Sequence, residues 1–141
     1  MGMGEATARL FAEAGAHVVV ADFNEEKGRA TAEAIAADTG AEVIFHKVDI
    51  SDSAQVQEMV TATVEKFGEL NVAVNNAALT PDQAPSAEFD EEYFDRLIAV
   101  DLKGTALCMK YELQQLIRQG KGGSIINISS VSGFRPQPNN I

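Results

Sequence analysis

Four short apolar runs in this chain of 141 residues each close on a small polar cluster, and helical segments separate them. The runs are Val18-Val19-Val20-Ala21 closing on Asp22, residues 43–48 closing on Asp49, Val72-Ala73-Val74 closing on Asn75-Asn76, and Ile125-Ile126-Asn127-Ile128 closing on Ser129-Ser130. Strands alternating with helices of about 10 to 20 residues define an α/β fold with a doubly wound parallel sheet. Ligands of such a sheet bind in the crevice at the carboxyl ends of the strands. Polar residues repeated at that end of every strand therefore describe one site rather than four separate turns.

The length suits a single domain over residues 1–141 with a real core, and the hydrophobic share of 45% is ordinary for a globular protein. A formal net charge of -10 argues against nucleic acid or an anionic membrane surface as partner. It does not exclude one phosphate-bearing ligand, which a helix N-terminus can hold locally through backbone N–H groups. The absence of Trp argues against an aromatic platform for single-stranded nucleic acid. Cys108 is the only cysteine, so no intrachain disulfide forms and a reducing compartment is the default. Its plain reading is a small apolar residue on a helix. No apolar stretch approaches the roughly 20 residues that span a bilayer. Nor does a charged region followed by an apolar one open the chain, so a cytoplasmic protein is expected. No metal site is expected.

Along the chain, residues 1–4 run straight into a helix with Thr7, Leu10, Phe11 and Ala14 on one face, ended by Gly15. A strand is predicted over 17–21, and Asn24 caps an Ala-rich helix that ends at Thr39-Gly40. A second strand covers 42–48. Ser51 or Asp52 caps a third helix with Val56, Met59, Val60, Thr63 and Phe67 as its buried stripe, closed by Gly68. A strand at 71–75 follows, then a loop over 78–88 with two prolines. Asp90 opens a long helical stretch to about residue 119, bent near 101–104, with Leu102, Ala106, Met109, Leu113 and Leu116/Ile117 as one stripe. A glycine-rich turn leads to the last strand at 124–128. The first element is thus a helix, where a crossover fold of this kind should begin with a strand.

Taken in order, Gly2-Met3-Gly4, Asp22, Asp49, Asn75-Asn76-Ala77 and Asn127-Ile128-Ser129-Ser130 resemble successive motifs of the short-chain dehydrogenase/reductase family. Each motif alone is weak; their order and spacing together are specific, and they cover nearly the whole chain. The resemblance implies a Rossmann-type, partial NAD(P)-binding domain. It implies an oxidoreductase that interconverts a secondary alcohol and a ketone, so the partner is a small-molecule substrate. A homo-oligomer is implied for the full-length form, with the long helix around 102–117 at a subunit interface.

The same resemblance assigns roles. Gly2 and Gly4, with Met3 between them, look like the end of a Thr-Gly-x-x-x-Gly-x-Gly phosphate loop. Glycine there lets backbone approach a pyrophosphate, and the free N–H groups opening the first helix face the phosphates. Asp22, 18 residues after Gly4, would accept hydrogen bonds from both adenosine ribose hydroxyls. A 2′-phosphate would meet its negative charge, and Phe23-Asn24 offer no cation in compensation, so NAD is preferred over NADP. The other reading of Asp22 is a turn-starting residue. Asp49 and Ile50 would contact the adenine, although a strand-end Asp serves equally well as a helix cap. Asn76 and Ala77 would approach the adenosine ribose, while Asn75 either ties strand ends or contacts ligand. Ala78 stands where the family usually has Gly. Ser130 matches the second serine of Asn-x-Ser-Ser-x-x-Gly over 127–133, whose hydroxyl orients the substrate oxygen; without the resemblance Ser129-Ser130 is an ordinary turn. Asp101 stands where the family usually has an Asn that bends the helix and holds a water in a proton relay. An Asp there brings a charge to that relay, or serves only as a polar group at the kink.

The resemblance also implies an acid/base Tyr in a Tyr-x-x-x-Lys segment, which falls beyond Ile141. Tyr93 is followed four positions on by Leu97 and Tyr111 by Gln115, so neither replaces it. The expectation is a piece of the family's chain without its first strand and that segment, inactive and marginally folded alone, with two unpaired strand edges facing across the ligand site. The rival expectation is a catalytically inactive nucleotide-binding or interaction protein. Substrate identity is not legible, since only residues 78–88 and 134–141 are left to shape that pocket.

Overall fold

A computed structural model describes residues 2–135. The elements run α1 (Met3–Glu13), β1 (Val18–Asp22), α2 (Glu25–Thr39), β2 (Val43–Lys47), α3 (Ser53–Phe67), β3 (Val72–Asn75), α4 (Glu91–Leu97), a π-helical stretch (Ile98–Gly104), α5 (Thr105–Gln119), β4 (Ser124–Asn127) and a 3-10 turn (Val131–Gly133). The order is the alternation expected from the sequence, with boundaries shifted by one or two residues.

Local chemistry sets most of these boundaries. Asn24 accepts from the Lys27 N–H at the start of α2, and Asp90 accepts from the Tyr93 N–H at the start of α4. At α3 the cap is Asp52, which accepts from the Ala54 and Gln55 N–H groups, so the choice between Ser51 and Asp52 falls to Asp52. Those bonds hold the Asp52 carboxyl below its ordinary range, the Gln55 N–H contributing most. Helices α2 and α3 end on Gly40 and Gly68, whose φ angles of 71° and 87° lie in the left-handed region. The bend anticipated near 101–104 is the π-helical stretch, which widens the helix by one residue per turn. At its end Gly104 receives Ile50: a Cβ there would stand 2.8 Å from Ile50 Cγ1.

Among the described residues the strands form two parallel pairs. β1 runs beside β2 from Val18↔Val43 to Asp22↔Lys47, and β3 beside β4 from Val72↔Ser124 to Asn75↔Asn127. The remaining edges of β1 and β3 are unpaired and border a common cavity of about 570 Å³. These are the two open edges anticipated from the sequence. Helices pair as α1 with α2 and α3 with α5, giving the two helical layers of a doubly wound fold.

The core is small. Ile35 and Val56 are fully enclosed, and Val48, Val56 and Cys108 form a cluster joined by Ile50, Met59, Leu107 and Tyr111. The apolar stripe read along the long helical stretch is mostly exposed, with Leu102 at 65% and Ile117 at 77%, while Leu116 at its end is buried. The buried face instead carries Cys108, Glu112, Gln115 and Leu116. Apolar spacing marks a face that avoids water without saying which neighbour covers it.

Candidate functional site

The carboxyl ends of β1 and β3 and the first turn of α1 meet at the cavity, whose lining includes Gly4, Asp22, Ile50, Asn76 and Ala77. Gly2, Met3, Asp49, Asp101 and Ser130 lie outside that lining.

Helix α1 differs from α2, α3 and α4 at its start. Its N-cap is Gly2, with φ 81° and no side chain to accept from the first-turn N–H groups. Ala6 N–H already reaches the Gly2 carbonyl, so the Met3 and Gly4 amides lie ahead of the first bond of the helix. Gly4 lies close against Asn76: a Cβ there would stand 2.9 Å from Asn76 Nδ2, so a side chain at position 4 would make the Asn76 amide shift. The contact places the first turn of α1 against the end of β3. Asn76 in turn has a buried Oδ1 with no hydrogen-bond partner among the described residues. Buried polar atoms are nearly always satisfied, so an orphan beside a helix N-terminus marks a place for a polar ligand or water. Met3 is exposed, and its side chain adds nothing to the lining.

Asp22 ends β1 at the cavity mouth. Its Oδ1 accepts the Asn24 N–H at 2.8 Å, so it does start the next turn, and Oδ2 is left without a protein partner among the described residues. The turn role and a ligand role are therefore compatible. Asp49 is more committed, because its Oδ1 accepts both the N–H and the hydroxyl of Ser51, at 2.9 and 2.7 Å. Ile50 packs into the core cluster and also reaches the cavity.

Asn75 ties the two strands of its pair. Its Nδ2 donates to Asn127 Oδ1 at 2.9 Å and to Glu112 Oε2 at 3.0 Å, while its carbonyl accepts the Ile128 N–H at 2.9 Å. Glu112 escaped the sequence reading. The detectable signal was its place on the helical face shared with Cys108, Gln115 and Leu116, where a carboxylate is out of keeping. Burial raises its pKa above the ordinary carboxylate value, and the Asn75 amide offsets part of that rise. Burial also pushes the Cys108 thiol up to about 12, with the nearby Glu112 charge adding to the effect.

Ser130 is exposed at the end of the loop after β4. Its Oγ accepts the Ser132 N–H at 3.1 Å, an arrangement that leaves the hydroxyl proton free to donate. Asp101 sits within the π-helical stretch and accepts the Leu79 N–H at 2.8 Å, pinning the loop after β3. The two tyrosines are engaged elsewhere. Tyr93 donates to the Thr80 carbonyl at 2.6 Å, and Tyr111 shares a hydrogen with Ser53 at 2.7 Å. Among the described residues no three His, Cys, Asp or Glu side chains are grouped to hold a metal ion, and no helix is long and apolar enough to cross a membrane. Of the 134–141 tail, residues 136–141 lie outside the described residues.

The sequence and the fold are shared with known proteins. Residues 1–140 match the profile of the family described as enoyl-(acyl carrier protein) reductase. The short chain dehydrogenase/reductase astE of Aspergillus oryzae is 54% identical over 136 residues, covering 96% of this chain and 52% of that protein. The chain belongs to the short-chain dehydrogenase/reductase family. A metagenomic short-chain oxidoreductase solved with NADP superposes with a TM-score of 0.90 at 34% identity, over 99% of this chain and 62% of that one. A xylitol dehydrogenase solved with NAD+ superposes with a TM-score of 0.88 at 27% identity, over 97% of this chain and 52% of that one. This short-chain dehydrogenase/reductase chain spans about half the length of the curated relatives it matches. Its two parallel strand pairs and two helical layers are therefore part of a Rossmann-type sheet.

Proposed function

We propose that the protein is an NAD-dependent oxidoreductase that interconverts a secondary alcohol and a ketone, and that residues 1–141 act as its partial NAD-binding domain. The observation that carries this reading is that Asp22, Gly4 and Asn76 all line one cavity, which runs along the facing edges of β1 and β3 and reaches their carboxyl ends. The residues present fit a dinucleotide. The uncapped N-terminus of α1 offers backbone donors to a pyrophosphate, with Gly2, Met3 and Gly4 forming the loop. Asp22 Oδ2 is free to accept from ribose hydroxyls, and its charge disfavours a 2′-phosphate, hence NAD over NADP. Asn76 and the Ala77 segment at the end of β3 would approach the ribose, and Ile50, with Asp49 beside it, would flank the adenine.

When bound, the nicotinamide supplies the hydride acceptor. Ser130 would orient the substrate: its Oγ accepts the Ser132 N–H, which leaves its hydroxyl hydrogen available for a substrate oxygen. Asp101 holds the loop at Leu79 and would bring its charge to any water beside it. Proton transfer needs an acid/base group that neither Tyr93 nor Tyr111 supplies, because Tyr93 is bonded to Thr80 and Tyr111 to Ser53. Positioned acid/base catalysis contributes about 10²–10⁴-fold, so residues 1–141 alone are expected to bind and orient rather than to turn over.

NADH formation by the natural protein over a panel of secondary alcohols tests the reading, alongside calorimetric titration with NAD and NADP. Turnover with NAD exceeding that with NADP is expected. Tight NAD binding without turnover on any alcohol or ketone would instead identify a nucleotide-binding protein.

A further inference from the structure

Glu112 is the one buried carboxylate among the described residues, 3% exposed on the face of α5 turned toward β3. A carboxylate there is poor material for stability alone. Buried charges cost desolvation, and replacing one by an apolar residue of similar volume is often neutral or stabilising. What Glu112 does have is a specific partner. The Asn75 amide nitrogen carries two N–H bonds, one accepted by Glu112 Oε2 at 3.0 Å and the other by Asn127 Oδ1 at 2.9 Å. Glu112 Oε2 and Asn127 Oδ1 both stand as acceptors against the Asn75 nitrogen, so turning the Asn75 amide over would set oxygen against oxygen. Glu112 thereby allows one orientation of Asn75. Asn75 in that orientation grips the end of β4 twice, by its side chain on Asn127 and by its carbonyl on the Ile128 N–H. Ser130 follows two residues later, and its own turn is closed by the Ser132 and Gly133 N–H groups.

We propose that Glu112 is a positioning residue for Ser130, acting through the Asn75 amide on the end of β4. This inference rests on the role proposed above for Ser130. The chain of contacts is Glu112 to Asn75, Asn75 to Asn127 and Ile128, and from there along the backbone to the serine. A small displacement of an orienting group can lower turnover by up to about 10²-fold.

The test compares Glu112→Leu, Glu112→Gln and Asn75→Ala in the natural protein by thermal melting, by steady-state kinetics with NAD and a secondary alcohol, and by hydrogen–deuterium exchange of residues 128–133. The Leu variant is expected to melt at or above the wild-type temperature yet lose about tenfold or more in kcat, with the KM for NAD within about threefold. Gln, whose amide oxygen still accepts from Asn75, is expected to restore kcat. Exchange over 128–133 should rise in the Leu variant and not in the Gln variant. Combining Glu112→Leu with Asn75→Ala should cost little more than either alone, since both break one chain of contacts. A Leu variant with wild-type turnover and wild-type exchange over 128–133 overturns the proposal. Should Leu fail to fold, Glu112→Ala is read the same way. If the wild-type protein itself shows no NAD-dependent turnover, the proposed function has failed, and exchange decides the positioning role alone: a rise supports it, no change overturns it.

Discussion

Replacing Asp22 by Ala is the perturbation that most directly tests the adenosine-binding crevice. In the structure this carboxylate uses Oδ1 to accept the Asn24 N–H at 2.8 Å and leaves Oδ2 free at the cavity mouth. A carboxylate offers about four acceptor positions, so at least two remain for a ribose diol after the turn is served. Hydrogen bonds to charged groups are worth about 1.5–3 kcal/mol each in favourable settings. Asp22 is exposed, so solvent competes and the pair together is set at about 1.5–3 kcal/mol rather than twice that. The dissociation constant for NAD should then rise about 10- to 150-fold. Affinity for NADP should change far less or improve, because the like charge facing its 2′-phosphate is gone. Asp22→Asn keeps an acceptor for the Asn24 N–H and separates loss of the turn from loss of charge. Isothermal titration of the natural protein with both nucleotides reads these numbers, and thermal melting confirms folding. An Asp22→Ala protein that folds normally and binds NAD within twofold of wild type would refute the assignment, and the cofactor preference drawn from it.

Other consequences follow from buried groups. Val56→Ala should destabilise by about 1.6 kcal/mol from lost apolar burial, rising toward about 3 kcal/mol with the cavity left beside Val48 and Cys108, measurable by urea unfolding. Cys108, buried with its thiol pushed up to about 12, should resist alkylation at neutral pH in the native state and react only on unfolding, as intact mass after iodoacetamide treatment would show. Glu112 binds its proton more tightly folded than unfolded, so the folded state carries more protons above the ordinary value of 4.5. Its contribution to stability therefore falls as pH rises through that window, and Glu112→Gln should remove this slope in urea titrations taken across mildly acid pH. Gly28→Ala gains about 0.8–1.0 kcal/mol of helix propensity. Its Cβ would nevertheless collide with the Phe45 ring, so a net fall in melting temperature is expected.

The alternation of strands and helices, the polar ends of the strands and the caps Asn24 and Asp90 were legible in the sequence, and the cap of α3 was narrowed to Ser51 or Asp52, because each depends on period or on hydrogen bonds within a few residues. The family was legible for the same reason, since its motifs are short and ordered along the chain. Three things were decided only by the fold. Which side of α5 is covered depends on where α3 and β3 sit, so the stripe through Leu102 and Ile117 lies exposed and Glu112 lies buried. The closeness of Gly4 to Asn76, 72 residues away in the chain, also comes from packing: a Cβ at position 4 would stand 2.9 Å from Asn76 Nδ2. The link from Glu112 through Asn75 to the end of β4 joins residues 37 and 52 positions apart, which no local pattern records. Sequence periodicity reports what a residue prefers along its own element; contacts between elements are chosen when the sheet and helices pack, and that choice gave the buried Glu112 its partner.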